Sequence, residues 1–344
     1  MVLFLLLASF LAGLALWSAV AAARAARAFP PLGDFVELDD AFGPARLHYV
    51  DRGTAWTGVA PVVLIHGASG NLRDMTASLM PALERHTRVI AVDRPGHGWS
   101  ARGSHPEMSD PVTQAHAIRA ALRRLGVERP VVLGHSWGAS VAAAWALEFP
   151  DEISGLLLLS GALYPWPGDI AWYHRIVGTP LAGTVFIRTM TVPGGVLLGP
   201  AGVKGNFHPD PAPENYAETI GLPLLFRPSH FRANSADTSG LKARLAAQSR
   251  RYGAIAVPAI VVTGNADYTV SPKIHSYAFH GAVKGSELIK LKGTGHMPHH
   301  ARREIVVDAV LRLARGEAPF DGMVTIHDDG RVEREARVSL QSPR

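Results

Sequence analysis

The chain has 344 residues, 47% of them hydrophobic and 18% charged, with a formal net charge of +5 and no cysteine. That is enough apolar material for a large core, and the absence of repeats and low-complexity tracts points to one globular domain with an insertion. The positive charge comes from dispersed arginines rather than basic blocks interleaved with aromatics, which argues against nucleic-acid binding. The lack of cysteine excludes disulfides and a thiolate nucleophile.

Residues 2–23 carry no charge, are rich in leucine, alanine and phenylalanine, and are followed by Arg24 and Arg27. A helix of about 20 such residues spans the ~30 Å of a bilayer's hydrocarbon. A cleaved signal peptide is the rival reading, with small residues around 21–26 for cleavage. The run has no basic region before it, however, and exceeds the usual ~7–15 apolar residues. The expectation is a retained single-pass anchor, with the arginines on its C-terminal side favouring a cytoplasmic domain. Residues 24–34, with Pro30, Pro31 and Gly33, read as a linker.

Residues 35–38 and 45–50 alternate as two strands around a turn at Phe42-Gly43-Pro44. Residues 61–65 form a continuous apolar run, as expected of a strand buried on both faces. It ends in His66-Gly67-Ala68-Ser69-Gly70-Asn71, a glycine-rich turn able to bring the Ala68 N–H to a developing oxyanion. No Gly-Lys-Ser/Thr follows, so this is not a phosphate loop. His66, at a buried strand end, is expected to be held by backbone hydrogen bonds rather than to act as ligand or base.

Helical spacing follows over 72–83. A strand at 88–92 then ends in Asp93-Arg94-Pro95-Gly96-His97-Gly98-Trp99-Ser100, a compact loop in which Asp93 reads as a turn cap and His97 as a packed residue. After a helix over 110–125, an apolar strand runs into Gly134-His135-Ser136-Trp137-Gly138, and a small-residue helix pattern begins by Ala139. This Gly-x-Ser-x-Gly reads as a strand, sharp turn and helix, with a serine in strained geometry that only small neighbours permit.

Strands and helices alternate from Val62 onward, the signature of parallel right-handed crossovers. After a strand within 153–161 the alternation breaks. Residues 164–255 are rich in proline, glycine and scattered aromatics and read as a lid; their acidic residues Asp169, Asp210, Glu214, Glu218 and Asp237 are few, so the pocket beneath should be mainly apolar. The sheet resumes at 257–263, ending in Gly264-Asn265-Ala266-Asp267. A strand at 287–291 ends in Gly293-Thr294-Gly295-His296. An amphipathic helix follows over 301–313, with Ile305, Val306, Ala309, Val310 and Leu313 on one stripe. In the tail, 322–340 reads as a hairpin about Asp329-Gly330, with no function assigned.

Serine needs a base to take its proton, and the base needs a third group to orient it. Ser136, Asp267 and His296 each follow a predicted parallel strand, so their turns share one sheet edge, in the chain order described for one known arrangement of this triad. His299 and His300 beside His296 could suggest a metal, but they read as the start of the last helix, and no metal is expected.

With these motifs the sequence resembles the α/β-hydrolase superfamily, in its epoxide hydrolase-like, haloperoxidase-like and proline iminopeptidase-like branch. The resemblance covers Phe35 to about Leu313. It implies a mostly parallel sheet flanked by helices, with Ser136 as nucleophile, His296 as general base and then acid, and Asp267 as its orienter. It also implies an oxyanion hole made by the backbone N–H groups of Ala68 and Trp137, and no cofactor. Epoxide hydrolases and haloalkane dehalogenases carry aspartate where Ser136 stands, which argues against alkyl transfer to a carboxylate. Proline iminopeptidases carry His-Gly-Gly-Pro-Gly where this chain has His66-Gly67-Ala68-Ser69-Gly70, which argues against aminopeptidase action.

The expected organisation is an anchor at 2–23, a linker at 24–34, a hydrolase core at 35–163 and 256–315, a lid at 164–255 and a tail at 316–344. The expected activity is hydrolysis of a small or medium apolar carboxylic ester. Amide, C–C bond and perhydrolase or haloperoxidase chemistry use the same triad and stay open, and a non-enzymatic receptor would require a damaged triad.

Overall fold

The computed structural model describes residues 1–38, 40–43 and 45–337. Pro44 of the expected turn and residues 338–340 of the expected tail hairpin lie outside the described residues. The chain opens with a helix, α1 (Val2–Ala28), then two strands, β1 (Asp34–Glu37) and β2 (Arg46–Arg52). Helix α1 continues five residues into the stretch expected as linker. Arg24, Ala25, Ala26 and Arg27 are good helix formers, and nothing before Pro30 stops them.

The alternating part comprises β3 (Val62–Ile65), α2 (Leu72–Ser78), α3 (Met80–Leu83), β4 (Val89–Val92), α4 (Pro111–Arg124), β5 (Val131–His135), α5 (Trp137–Glu148) and β6 (Gly155–Leu159). The single helix expected over 72–83 is two, broken at Leu79 where Pro81 enters the first turn of α3 and supplies no N–H. Five helices then interrupt the sheet: α6 (Tyr173–Val177), α7 (Pro180–Thr189), α8 (Thr191–Phe207), α9 (Tyr216–Thr219) and α10 (Pro228–Gln248). The sheet resumes with β7 (Ala259–Gly264), α11 (Ser276–Ala282), β8 (Glu287–Leu291), α12 (Pro298–Ala301), α13 (Arg303–Ala314), β9 (Gly322–Ile326) and β10 (Val332–Ala336).

All ten strands form one sheet in the order β1-β2-β4-β3-β5-β6-β7-β8-β9-β10. From β4 to β9 neighbours are parallel, while β1, β2 and β10 attach antiparallel. The tail is therefore part of the sheet: β9 lies beside β8, and β10 closes the edge with every residue exposed. A strand with both faces in water carries no apolar alternation, which is why Val332-Glu333-Arg334-Glu335-Ala336 gave only a turn signal. Alternate strand residues feed two cores. Val63, Ile65, Val132, Leu156, Leu158 and Val261 pack with α4 and α5; Val62, Leu64, Leu133, Leu157, Ile260 and Ile289 pack with α2, α3 and α13. Parallel pairing brings the C-terminal ends of β3, β5, β7 and β8 to one edge, and the site is built there.

Candidate active site

Ser136 sits between β5 and α5 with φ 53° and ψ −117°, in left-handed backbone space that a side chain rarely occupies. The two flanking glycines are required by close approach. A Cβ on Gly134 would lie 2.3 Å from Gly138 O, and one on Gly138 would lie 2.5 Å from Ile65 O and His66 O. Strand β3, the turn and α5 are thus pressed together at this point. Ser136 is 9% exposed, and a Cβ on Gly67 would be 2.9 Å from its Cβ, so the β3 loop flanks the serine directly.

His296 follows β8 and Asp267 follows β7. His296 Nδ1–H donates to Asp267 Oδ2 at 2.7 Å, and the other carboxylate oxygen, Oδ1, accepts the Thr269 and Val270 N–H groups at 2.8 Å each. The acid is thereby fixed from both sides and orients the His296 ring through Nδ1. His135, next to the serine, donates through Nε2 to His296 O at 3.1 Å and lies 4.9 Å from the His296 ring, which joins the serine turn to the histidine turn. Among the described residues no hydrogen bond joins Ser136 Oγ to His296, the loose geometry common before substrate arrives. The Ala68 and Trp137 N–H groups donate to no other described group. The latter opens a helix, where N–H groups lack intrahelical partners.

His66 and Asp93 have the structural roles expected of them. His66 donates through Nδ1 to Gly67 O at 2.8 Å and accepts Arg94 N–H at 3.0 Å; burial, with Arg94 beside it, pushes it down to about 4, so it is neutral. Asp93 accepts Leu72 N–H, Trp99 N–H and His48 Nδ1–H. His97 is fully buried against Arg94 and His230.

Two connections were not visible in the sequence. Arg94, fully buried, donates to His66 O and Gly67 O and stacks 4.1 Å above the Trp137 indole, so one guanidinium braces both sides of the expected oxyanion hole. Its partner is Asp237 of α10, at 2.6 Å, which also receives Arg102 at 2.6 Å. Asp237 is thus no loose acidic group of an apolar lid but a buried tie between the insertion and the serine turn. Asp210, also from the insertion, accepts Gly295 N–H at 2.8 Å and so holds the His296 loop.

The second connection is Asp74, whose carboxylate accepts His299 Nε2–H at 2.9 Å, His300 Nε2–H at 2.8 Å and the Tyr216 hydroxyl at 3.0 Å. Burial alone would raise the Asp74 carboxyl, but His299 and His300 hold it well below the usual carboxylate range. His296, His299 and His300 do not converge, since the first faces Asp267 and the others face Asp74. Ligand atoms of Asp74, His135 and His299 do lie within 4.8 Å of one another, close enough to share an ion, but both Asp74 oxygens are already engaged.

A cleft of about 230 Å³ opens beside the acid loop, lined by Ala162, Trp166, Tyr268, Val270, Ile274 and His275 among others. Its lining comes from the ends of β6 and β7 as well as from the insertion, and Ser136 is not part of it.

The family model for the alpha/beta hydrolase fold matches residues 60–189, from β3 through the Ser136 turn into α7; Asp267 and His296 lie beyond the match. An uncharacterized protein of Mycobacterium tuberculosis is 27% identical over 286 residues, 80% of this chain and 81% of its own. A putative carbamate hydrolase of Klebsiella pneumoniae is 28% identical over 249 residues, 70% of this chain and 86% of its own. The esterase of Exiguobacterium antarcticum has a similar fold, with a TM-score of 0.65 at 20% identity, covering 83% of this chain and 100% of that one. Together with the parallel sheet and the turn after β5, these findings define the class: the chain has the α/β-hydrolase fold, and its residues 60–189 match that family's model.

Proposed function

We propose that the protein is a serine hydrolase that cleaves carboxylic esters of small or medium apolar substrates, held at a membrane by α1. The observation that carries the chemistry is the Asp267–His296 pair, whose acid is pinned by two backbone N–H groups, beside a serine in strained geometry at the head of α5.

In this reading the Ser136 hydroxyl loses its proton to His296 Nε2 as Oγ bonds to the ester carbonyl carbon. The carbonyl oxygen takes the displaced electron pair and is met by the Ala68 and Trp137 N–H groups, each such donor contributing about 10²–10³-fold. The tetrahedral species collapses, the ester C–O bond breaks, and the leaving alkoxide takes the proton from His296. Water then repeats the sequence on the acyl-enzyme, giving the acid and free Ser136. The anchor reading rests on α1, a 27-residue apolar helix that is the one candidate span of unbroken helix among the described residues.

The test has two parts. Wild-type protein should react with a fluorophosphonate probe, and Ser136→Ala should not; labelling that persists in the variant would remove the serine assignment. The parameter kcat/KM is then measured on p-nitrophenyl esters from acetate to decanoate, beside a prolyl amide and an aryl carbamate. Each buried methylene is worth about 0.8 kcal/mol, so rates should rise with chain length for as long as added methylenes are buried beneath the insertion. The carbamate is included because of the Klebsiella relative. Faster turnover of the amide or carbamate, or a steady fall from acetate onward, would overturn the apolar-ester reading.

A further inference from the structure

Helix α1 does not stand clear of the domain. It packs against α7, α8 and the 3-10 turn Leu222–Phe226 of the insertion. Its less exposed residues, among them Leu11, Leu14, Ser18, Ala21, Ala22 and Ala25, recur at three- and four-residue spacing, so one face is in contact. Its base is also held: Phe29 O accepts Trp99 Nε1–H at 2.9 Å, and the Arg73 guanidinium lies over the Phe29 ring.

Residues 2–10 are all exposed. Nine helical residues reach about 14 Å, roughly half of a hydrocarbon layer. If α1 crosses that layer, the other half must come from the next ten or eleven residues, which are those that begin the contact with the insertion. A bilayer that takes up α1 therefore takes up the neighbouring surface of α7 and α8.

That surface is suited to it. Residues 180–207 contain two charges, Arg188 and Lys204, and expose Leu181 (79%), Val185, Met190, Val196, Leu197 (78%) and Leu198 to solvent. Apolar side chains clustered on this scale are unusual on a face meant for water. Helices α7 and α8, bent 63° at Met190, are together long and apolar enough for a broken or re-entrant membrane segment. Polar groups at the bend are satisfied internally: the Thr184, Thr189 and Thr191 hydroxyls each donate to the carbonyl four residues back. The far end of α8 reaches the site, where a Cβ on Gly295 would lie 2.2 Å from His208 O.

We propose that the α7–α8 hairpin of the insertion is embedded in the lipid bilayer beside α1, so that a lipid-soluble ester reaches the site laterally from the hydrocarbon rather than from water. This rests on the anchor and ester readings above and adds to them the surface that meets lipid and the route the substrate takes.

The absence of cysteine makes the test direct. Full-length Phe10→Cys, Leu197→Cys and Glu304→Cys proteins are each labelled with bimane and reconstituted into phosphatidylcholine vesicles with or without brominated acyl chains. The expected result is quenching at positions 10 and 197 and none at 304, an exposed position of α13 in the core. Quenching at 10 without 197 would overturn the embedded hairpin and leave the anchor standing; quenching at neither would overturn both. Disulfide formation between unlabelled Leu197→Cys copies in the same vesicles, with no quenching of the labelled protein, would give the face to a second copy and also overturn the proposal. In full-length Leu181→Glu/Leu197→Glu, turnover of soluble p-nitrophenyl acetate should be unchanged, while turnover of a long-chain ester dissolved in vesicles should fall about tenfold or more. An equal fall on both substrates would refute the lateral route.

Discussion

Replacing Asp267 with asparagine tests the catalytic assignment most sharply, because the surroundings dictate which way the amide must face. Oδ1 accepts two backbone N–H groups at 2.8 Å, so the asparagine oxygen will stay there and its NH₂ will point at His296 Nδ1. Nδ1 must then accept, the ring proton moves to Nε2, and the base is lost. Restoring the useful tautomer requires turning the amide over, which leaves two N–H donors facing an NH₂ group. At about 1–3 kcal/mol per orphaned donor the reversal costs about 2–6 kcal/mol. With about 1.4 kcal/mol per decade of rate, that is between about 30-fold and about 10⁴-fold. Loss of the charge that steadies the imidazolium pushes the result to the upper end, in line with the ~10⁴-fold loss known for the same change in the serine-protease triad. The assay is kcat/KM on p-nitrophenyl butyrate near neutral pH, with a melting curve to show that the variant is folded. Activity within tenfold of wild type in a folded variant would refute the reasoning and remove Asp267 as the orienting acid.

Other outcomes follow from the same geometry. Ser136→Ala, His296→Ala and the double variant should all reach one residual rate, since the two groups act as a unit; additive losses would contradict that. Gly67→Ala should abolish ester turnover while the protein stays folded, because the new Cβ meets Ser136 Cβ at 2.9 Å, and unchanged kinetics would show that the β3 loop does not border the nucleophile. Asp237→Ala leaves Arg94 fully buried and unpaired and should destabilise by about 3–5 kcal/mol in chemical denaturation; a change near zero would mean that the tie between α10 and the serine turn carries no weight. Acid should unfold the protein early. His66, held down to about 4, and His230, held down to about 3 by burial with Arg227 beside it, stay neutral in the fold. In the unfolded chain both titrate near the usual 6.5 and bind protons the native state refuses, so stability is full above that value and is lost as pH falls from about 6.5 toward about 4. Asp74 and Asp93, held low in the fold, withdraw their contribution below the carboxylate range in the same direction. A melting temperature that is flat across this window would contradict the burial argument.

Local rules suffice for what can be read along the chain. The turn at Gly134-His135-Ser136-Trp137-Gly138 is legible because its strain is local: a serine at positive φ and a close crossing need glycine neighbours whatever the rest of the fold does. Asp267 and His296 are legible as polar residues at the ends of apolar runs, and parallel pairing brings such ends together. The positions of β3 to β7 follow from continuous apolar stretches that only a doubly covered sheet can bury, whereas β8 carries Glu287 and Lys290 among three apolar residues. Tertiary structure alone decided the rest. Asp237 meets Arg94 across 143 positions and Asp74 meets His299 across 225, and neither acid lies in any local pattern that distinguishes it from a solvated one. Strand β10 has no apolar face, so only its pairing with β9 makes it a strand. The face that α1 turns to the insertion is hidden for the opposite reason. In a helix apolar all round, a stripe of alanine and serine gives no contrast, and which side packs is settled by the surface it meets.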